Sequence, residues 1–340
     1  MSFELILPFF PEAIQQLLLD DGVSDLCING DRGVFVERNG TMRPVDGVTM
    51  ARENLNAAIE QIARVLGRDI TEQDPLQDLR LPNGSRVGAV YQPCSPHGAT
   101  VTIRKFNRWF SVQELVERGS VPPLVRDIVT GAIRERRNVL VSGGTGSGKS
   151  TTLNAFIAEI PATDRLIVIE KPIELSIQHP NSVRWEAVDE LPGRPAVTVA
   201  HLVTAALRHR PDRIIIGEVR DHSAYDMLQA MNTGHGGSMT TTHADSAQSA
   251  LSRIADLALS AHSNLDHQFV RSQTAEALHY VIQVNRQPDG MRRVTELVKV
   301  RRYNPAEHVF EVEHLYRFGS TELDSFSMKG DCYAQASGRG

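Results

Sequence analysis

One run carries the strongest chemical signal in the chain: Gly143, Gly144, Thr145, Gly146, Ser147, Gly148, Lys149 and Ser150, with Thr151 next. Its spacing is G-x-x-x-x-G-K-[ST]. Glycines so placed let backbone N–H groups turn inward around a phosphate, at a helix N-terminus whose dipole favours an anion. In such a loop Lys149 reaches the β- and γ-phosphates, and the Ser150 hydroxyl ligates Mg²⁺. The flanks fit: NVLVS (138–142) reads as a strand and TTLNAFIAEI (151–160) as a helix. ATP and Mg²⁺ are therefore the expected ligands.

A phosphate loop needs acid nearby to serve the metal and the attacking water. LIVIE ends in Glu170, followed by Lys171, Pro172, Ile173 and Glu174; RIIIGE ends in Glu218. Open α/β sheets place ligands at the C-terminal ends of their strands. Glu218 is thus a candidate for water activation and for the metal, with Glu170 and Glu174 as further catalytic candidates. His235 and His243 bracket TGHGGSMTTTH. A lone histidine is more often structural, but one at a strand end can contact a γ-phosphate or relay its presence. No cysteine or histidine pair has the spacing of a zinc site.

Continuous apolar strands (NVLVS, LIVIE, RIIIGE, SMTTTH) alternate here with amphipathic helices. That pattern predicts a parallel sheet covered on both faces. HYVIQVNR and RVTELVKV, joined across Pro288-Asp289-Gly290, read as a hairpin added to it. Upstream, short β-prone runs carry Asn-Gly pairs at 29–30, 39–40 and 83–84, each a hairpin signal. Leu55, Ala58, Ile59, Ile62 and Leu66 fall at helical spacing, and TVTIRK alternates Val101 and Ile103 against Thr102 and Arg104. The expected organisation is a smaller α+β domain over 1–108, a connection over 109–123, an α/β domain over 124–320 and a frayed tail over 321–340.

The chain has 340 residues, enough for about two domains. Thirty-six Lys+Arg against 41 Asp+Glu leave a net charge of −5, which argues against a direct nucleic-acid ligand. Three scattered cysteines, Cys27, Cys94 and Cys332, exclude a disulfide framework and fit a reducing cytoplasm. No apolar run approaches the ~18 residues of a membrane span. Membrane contact is therefore expected through partners.

GGTGSGKST, IEKPIEL, LRHRPDRIIIGEVRD and MNTGHGGSMTTTHADSAQSALSRI resemble the traffic ATPases of type II and type IV secretion systems. LPNGSRVGAVYQPCSPHGATVTIRKF extends the likeness upstream, and the conjugal-transfer and tight-adherence pilus branches look most similar. The resemblance implies a hexameric ring of two-domain subunits, with a RecA-like C-terminal ATPase domain and nucleotide between the domains. It places Glu170 and Glu174 in an acid box, Gly217 and Glu218 in a Walker B segment, and His235 with His243 in a histidine box. Arg86 and Arg104 match N-domain arginines that approach the phosphates. The acid box usually reads Glu-Asp; here it reads Glu170-Lys171, which puts turnover in question.

The expectation is an ATP-hydrolysing motor, cytoplasmic and bound peripherally to the inner membrane through secretion or pilus platform proteins. Glycines near 233–237 and the 109–123 connection would serve as hinges. Two alternatives stay open: a RecA-like ATPase translocating nucleic acid, and a nucleotide-gated assembly module with little hydrolysis.

Overall fold

Two hydrophobic patterns build two units, which divide as Met1–Arg108 with Asp289–Met291, and Trp109–Pro288 with Arg292–Gly340. The structure is a computed structural model that describes residues 3–38, 40–105, 109–190, 193–261 and 264–320; counts and absences below refer to those residues. Asn39 and the expected tail at 321–340 lie outside them.

In the first unit, α1 (Glu12–Leu19) precedes β1 (Val23–Asn29), β2 (Val34–Arg38) and β3 (Thr41–Pro44). Then follow α2 (Arg52–Val65), β4 (Leu76–Arg80), β5 (Arg86–Val90) and β6 (Thr100–Arg104). The six strands form one antiparallel sheet in the order β3-β2-β1-β6-β5-β4. Helix α2 buries Leu55, Ala58, Ile59, Ile62 and Ala63, a single face at helical spacing. β6 buries Val101 and Ile103 and exposes Thr102 and Arg104, as its alternation requires. Asn83-Gly84 turns the chain between β4 and β5, with Gly84 at φ +89°.

The second unit opens with α3 (Val112–Glu117), α4 (Pro123–Arg134), β7 (Val139–Ser142), α5 (Lys149–Ile157), β8 (Leu166–Glu170) and β9 (Ser182–Glu186). It continues with α6 (Val199–Ala206), β10 (Arg213–Ile216), α7 (Ser223–Asn232), β11 (Met239–Thr242), α8 (Ala247–Leu259) and α9 (His267–Ala277). It closes with β12 (Tyr280–Arg286), β13 (Arg292–Asn304) and β14 (Val309–Arg317). The sheet order is β14-β13-β12-β7-β11-β10-β8-β9, parallel from β12 to β9 and antiparallel at β13 and β14. Every residue of β7, β8, β10 and β11 is buried, because helices cover both faces.

The segment 109–123 carries the short helix α3. Ser111 and Glu114 form a reciprocal capping box that starts α3. Val112, Leu115 and Val121 are buried in one cluster with Val125, Leu153 and Phe156. The segment is therefore part of the second unit's core.

The N-terminal ends of the parallel strands are locked by polar groups. Buried Arg213 pairs with Asp164 at 2.7 Å and donates to Ile133 O. Asn138 Oδ1 accepts from Gly237 N and Ser238 N, while its Nδ2 donates to Ala277 O. Gly237 sits at φ +86°, and a Cβ there would stand 2.5 Å from Arg213 Nη1. Gly237, one of the glycines at 233–237, is thus packing space for a buried arginine.

His279 Nδ1 accepts the Asn138 N–H at 3.1 Å, a bond only the neutral ring can make. Burial, with the charges of Arg137 and Lys299, holds this imidazole below its ordinary value of 6.5. The unfolded chain therefore takes up the proton first, and stability falls as pH drops below about 6.5. Thermal melts between pH 7 and pH 5 should show that decline, and His279→Gln should flatten it.

Candidate functional site

Parallel pairing brings four strand ends to one edge. Ser142 pairs with Thr242, and Ile216 with both Thr240 and Ile169. Gly143, His243, Gly217-Glu218 and Glu170 therefore leave the sheet on the same side. The loop 143–148 rises from β7 and enters α5 through Gly148, at φ +100°.

Lys149 is 6% exposed at the first turn of α5. Its Nζ donates to Gly144 O at 2.8 Å and stands 3.4 Å from His243 Nδ1. Burial pulls its pKa below the usual ammonium value, opposed by the charge of Glu218. Ser150 Oγ lies 3.5 Å from Glu174 Oε2, so this hydroxyl and this acid share one corner. Ser147 Oγ is buried without a hydrogen-bond partner among the described residues. A buried cation on neutral partners, an orphan hydroxyl and a helix N-terminus are the donor set a phosphate requires, and the Ser150–Glu174 oxygens suit a hard cation.

Glu218 lies between two partners: Arg220 Nη2 at 2.6 Å from Oε2 and His243 Nε2 at 3.0 Å from Oε1. Burial, with the charges of Lys149, Arg220 and Arg253, lowers the His243 pKa against the opposing pull of Glu218. A neutral ring presents its Nδ1 lone pair to Lys149, while Glu218 Oε1 accepts no hydrogen bond among the described residues.

Glu170 plays a different part from the one its motif suggests. It is 2% exposed. Oε1 accepts from Glu174 N at 2.7 Å and Leu175 N at 2.8 Å, and Oε2 from Arg184 Nη2 at 3.2 Å. The carboxylate is spent on the turn that carries Glu174 towards Ser150. Burial raises its pKa, against these hydrogen bonds and Arg184. Lys171 turns the other way and pairs with Asp189.

His235 is not with His243. It precedes β11, at the opposite end of that strand, where Nδ1 donates to Ala230 O at 3.2 Å. The two histidines are separated because the whole of β11 lies between them. Arg86 and Arg104 are register partners on β5 and β6 of the first unit, and Arg104 Nε bonds Asp25 Oδ1 at 2.8 Å.

Three engaged residues escaped the sequence reading. Arg220 could have been found two positions after Glu218. Arg184 sits on β9, a short strand that alternates polar Ser182, Arg184 and Glu186 with apolar Val183 and Trp185. Arg292 follows the β12–β13 turn and donates through Nε to Gly146 O at 2.8 Å.

The fold and this edge define a class: an α/β protein with a RecA-like P-loop ATPase domain and a smaller N-terminal α+β domain. The family model described as "Type II/IV secretion system protein" matches residues 11–309, and the chain belongs to that family. It is 33% identical over 308 residues to the conjugal transfer protein TrbB of Rhizobium radiobacter, covering 87% of this chain and 90% of that protein. It is also 33% identical over 314 residues to the type IV secretion system protein PtlH of Bordetella pertussis, covering 84% of this chain and 92% of that one. Among solved structures, the ATPase DotB of Legionella pneumophila shares the fold at a TM-score of 0.64 and 24% identity, over 85% of this chain and 81% of that one.

Gly217 marks where β10 approaches Glu170: a Cβ there would stand 2.8 Å from Glu170 Cγ. The glutamate is pinned by its hydrogen bonds and cannot swing aside. Gly217→Ala should therefore destabilise the protein by roughly 1–3 kcal/mol, read as a lowered midpoint in thermal or denaturant unfolding.

Proposed function

We propose that the chain is an ATP-hydrolysing motor subunit of a type IV secretion, conjugation or pilus-assembly machine. Buried Lys149, the Ser150–Glu174 pair and the Glu218–His243 pair converge at one sheet edge, and that convergence carries the reading. Gly143 to Thr151 would hold the phosphates, with Lys149 moving from Gly144 O to a phosphate oxygen. Ser150 and Glu218 would hold Mg²⁺, with Glu174 beside Ser150; the ion would neutralise charge on the phosphoryl oxygens. Glu218, released from Arg220, would orient the attacking water and take its proton. His243 would register the change at Lys149 and pass it to Glu218. Glu170 enters as the residue that positions Glu174. Arg86 and Arg104 are the first unit's candidates for stabilising charge on the phosphates; His235 is left outside the reacting group.

Among the described residues no helix is long and apolar enough to cross a membrane. The proposed setting is the cytoplasmic face of the inner membrane, with the chain held by platform proteins and assembled as a homohexamer. Sedimentation with and without ATP tests the assembly.

Lys149→Ala should abolish ATP binding and turnover. Glu218→Gln should retain binding while lowering kcat by about 10²–10⁴-fold. Phosphate release and equilibrium nucleotide binding on the purified protein measure both. If Lys149→Ala hydrolyses ATP like the wild type, the site assignment falls.

Because Lys171 pairs with Asp189, Lys171→Ala should leave kcat within about twofold of wild type, the scale of a solvated surface pair. A large rise in kcat would instead mean that this lysine restrains turnover, as the acid-box departure first suggested.

A further inference from the structure

Strands β12 and β13 do more than extend the sheet. β12 pairs in parallel with β7, with Gln283 opposite Ser142, so the β12–β13 ribbon runs on past the strand end where the phosphate loop begins. A Cβ at Gly143 would collide with the Val284 carbonyl of β12. On β13, the Arg292 stem covers the last loop glycine: a Cβ at Gly148 would stand 3.4 Å from Arg292 Cδ and 3.5 Å from its Cβ. From there Arg292 Nε donates to Gly146 O at 2.8 Å.

A phosphate loop works by turning its N–H groups inward. Its carbonyls then face away from the ligand and need donors of their own. Two of them have cationic donors here. Lys149 holds Gly144 O, a bond that must break when the ammonium moves to a phosphate. Arg292 holds Gly146 O from outside the loop, a bond that can persist with ligand in place.

We propose that Arg292 is a positioning residue for nucleotide phosphates: its guanidinium, anchored on β13, fixes the Gly146 carbonyl outward and keeps the loop in its binding form. This rests on the nucleotide-binding reading above. Without Arg292 the loop populates other shapes, and apparent affinity falls by the fraction that remains competent. The group acts on ATP and ADP alike, because it shapes the loop rather than meeting the reaction.

The test compares wild type with Arg292→Ala, Arg292→Lys, Arg293→Ala and Lys149→Ala, measuring ATP and ADP binding, KM, kcat and melting temperature. Arg293 is the neighbouring cation on β13, its guanidinium over the Phe318 ring, and serves as the charge-matched control. Arg292→Ala should weaken ATP and ADP about tenfold and raise KM to match, with kcat changed less than about threefold, the pattern of a uniform-binding loss. Arg292→Lys keeps a stem and a donor, so it should recover part of the loss even if the alanine variant folds poorly. Arg293→Ala should bind as wild type does.

Unchanged affinity in Arg292→Ala, or an equal loss in Arg293→Ala, overturns the proposal. So does a kcat loss with KM unaltered. If the wild type binds no nucleotide, or Lys149→Ala binds as well as it does, the nucleotide reading fails instead, and that result is distinct.

Discussion

The constraint on which the site depends is the burial of an ammonium group without neutralising it. Lys149 is almost fully enclosed, yet its near contacts are a carbonyl and an imidazole, both neutral. Taking such a charge out of water is costly unless polar groups replace the hydration. The surrounding acids could have cancelled it, but each has another engagement. Glu218 is taken by Arg220, Glu170 by Arg184 and two backbone amides, and Glu174 lies beside the Ser150 hydroxyl. The positive potential at the start of α5 is thereby kept for an incoming anion.

That arrangement needs rigid support below it, because a helix N-terminus is a useful anion site only if its strand cannot slide. The opposite ends of β7, β10 and β11 are tied by Asn138, Arg213 and Asp164. The buried arginine spans two carbonyls and a carboxylate, fixing the strands in one register. Truncating Asp164 would leave the Arg213 charge in the core with carbonyl partners alone, whereas Asp164 is also held by Arg136 at 2.9 Å. The edge that bears the 143–148 loop and the locked edge of the sheet thus divide the work: charge is held ready at one and register is held at the other.

Much of this was legible in the residues. The loop motif, the four buried strands, the amphipathic α2 and the alternation of β6 are local patterns, and local patterns survive folding. The parts that were not legible depend on what lies across the sheet. β9 reads SVRWE, a polar–apolar alternation only five residues long that is easily passed over beside the continuous apolar strands; it supplies Arg184 to Glu170. His235 and His243, on the other hand, bracket β11 and stand at its two ends, as their spacing implies. The helix α3, by contrast, is announced locally, by the capping box of Ser111 and Glu114.

The Glu170-Lys171 pair shows why motif identity must be read with direction. Glu170 is the last residue of β8 and points into the fold, where a buried carboxylate can hold the following turn. The next side chain along an extended chain faces the other way. Lys171 accordingly meets Asp189 on the outer side, away from the Lys149 corner. Lysine at this position therefore alters the outer contact with Asp189 and leaves the phosphate side with its acids intact. The same reasoning makes Glu174, not Glu170, the acid-box carboxylate that shares the corner with Ser150: four residues of turn, pinned at both ends by Glu170, carry it there.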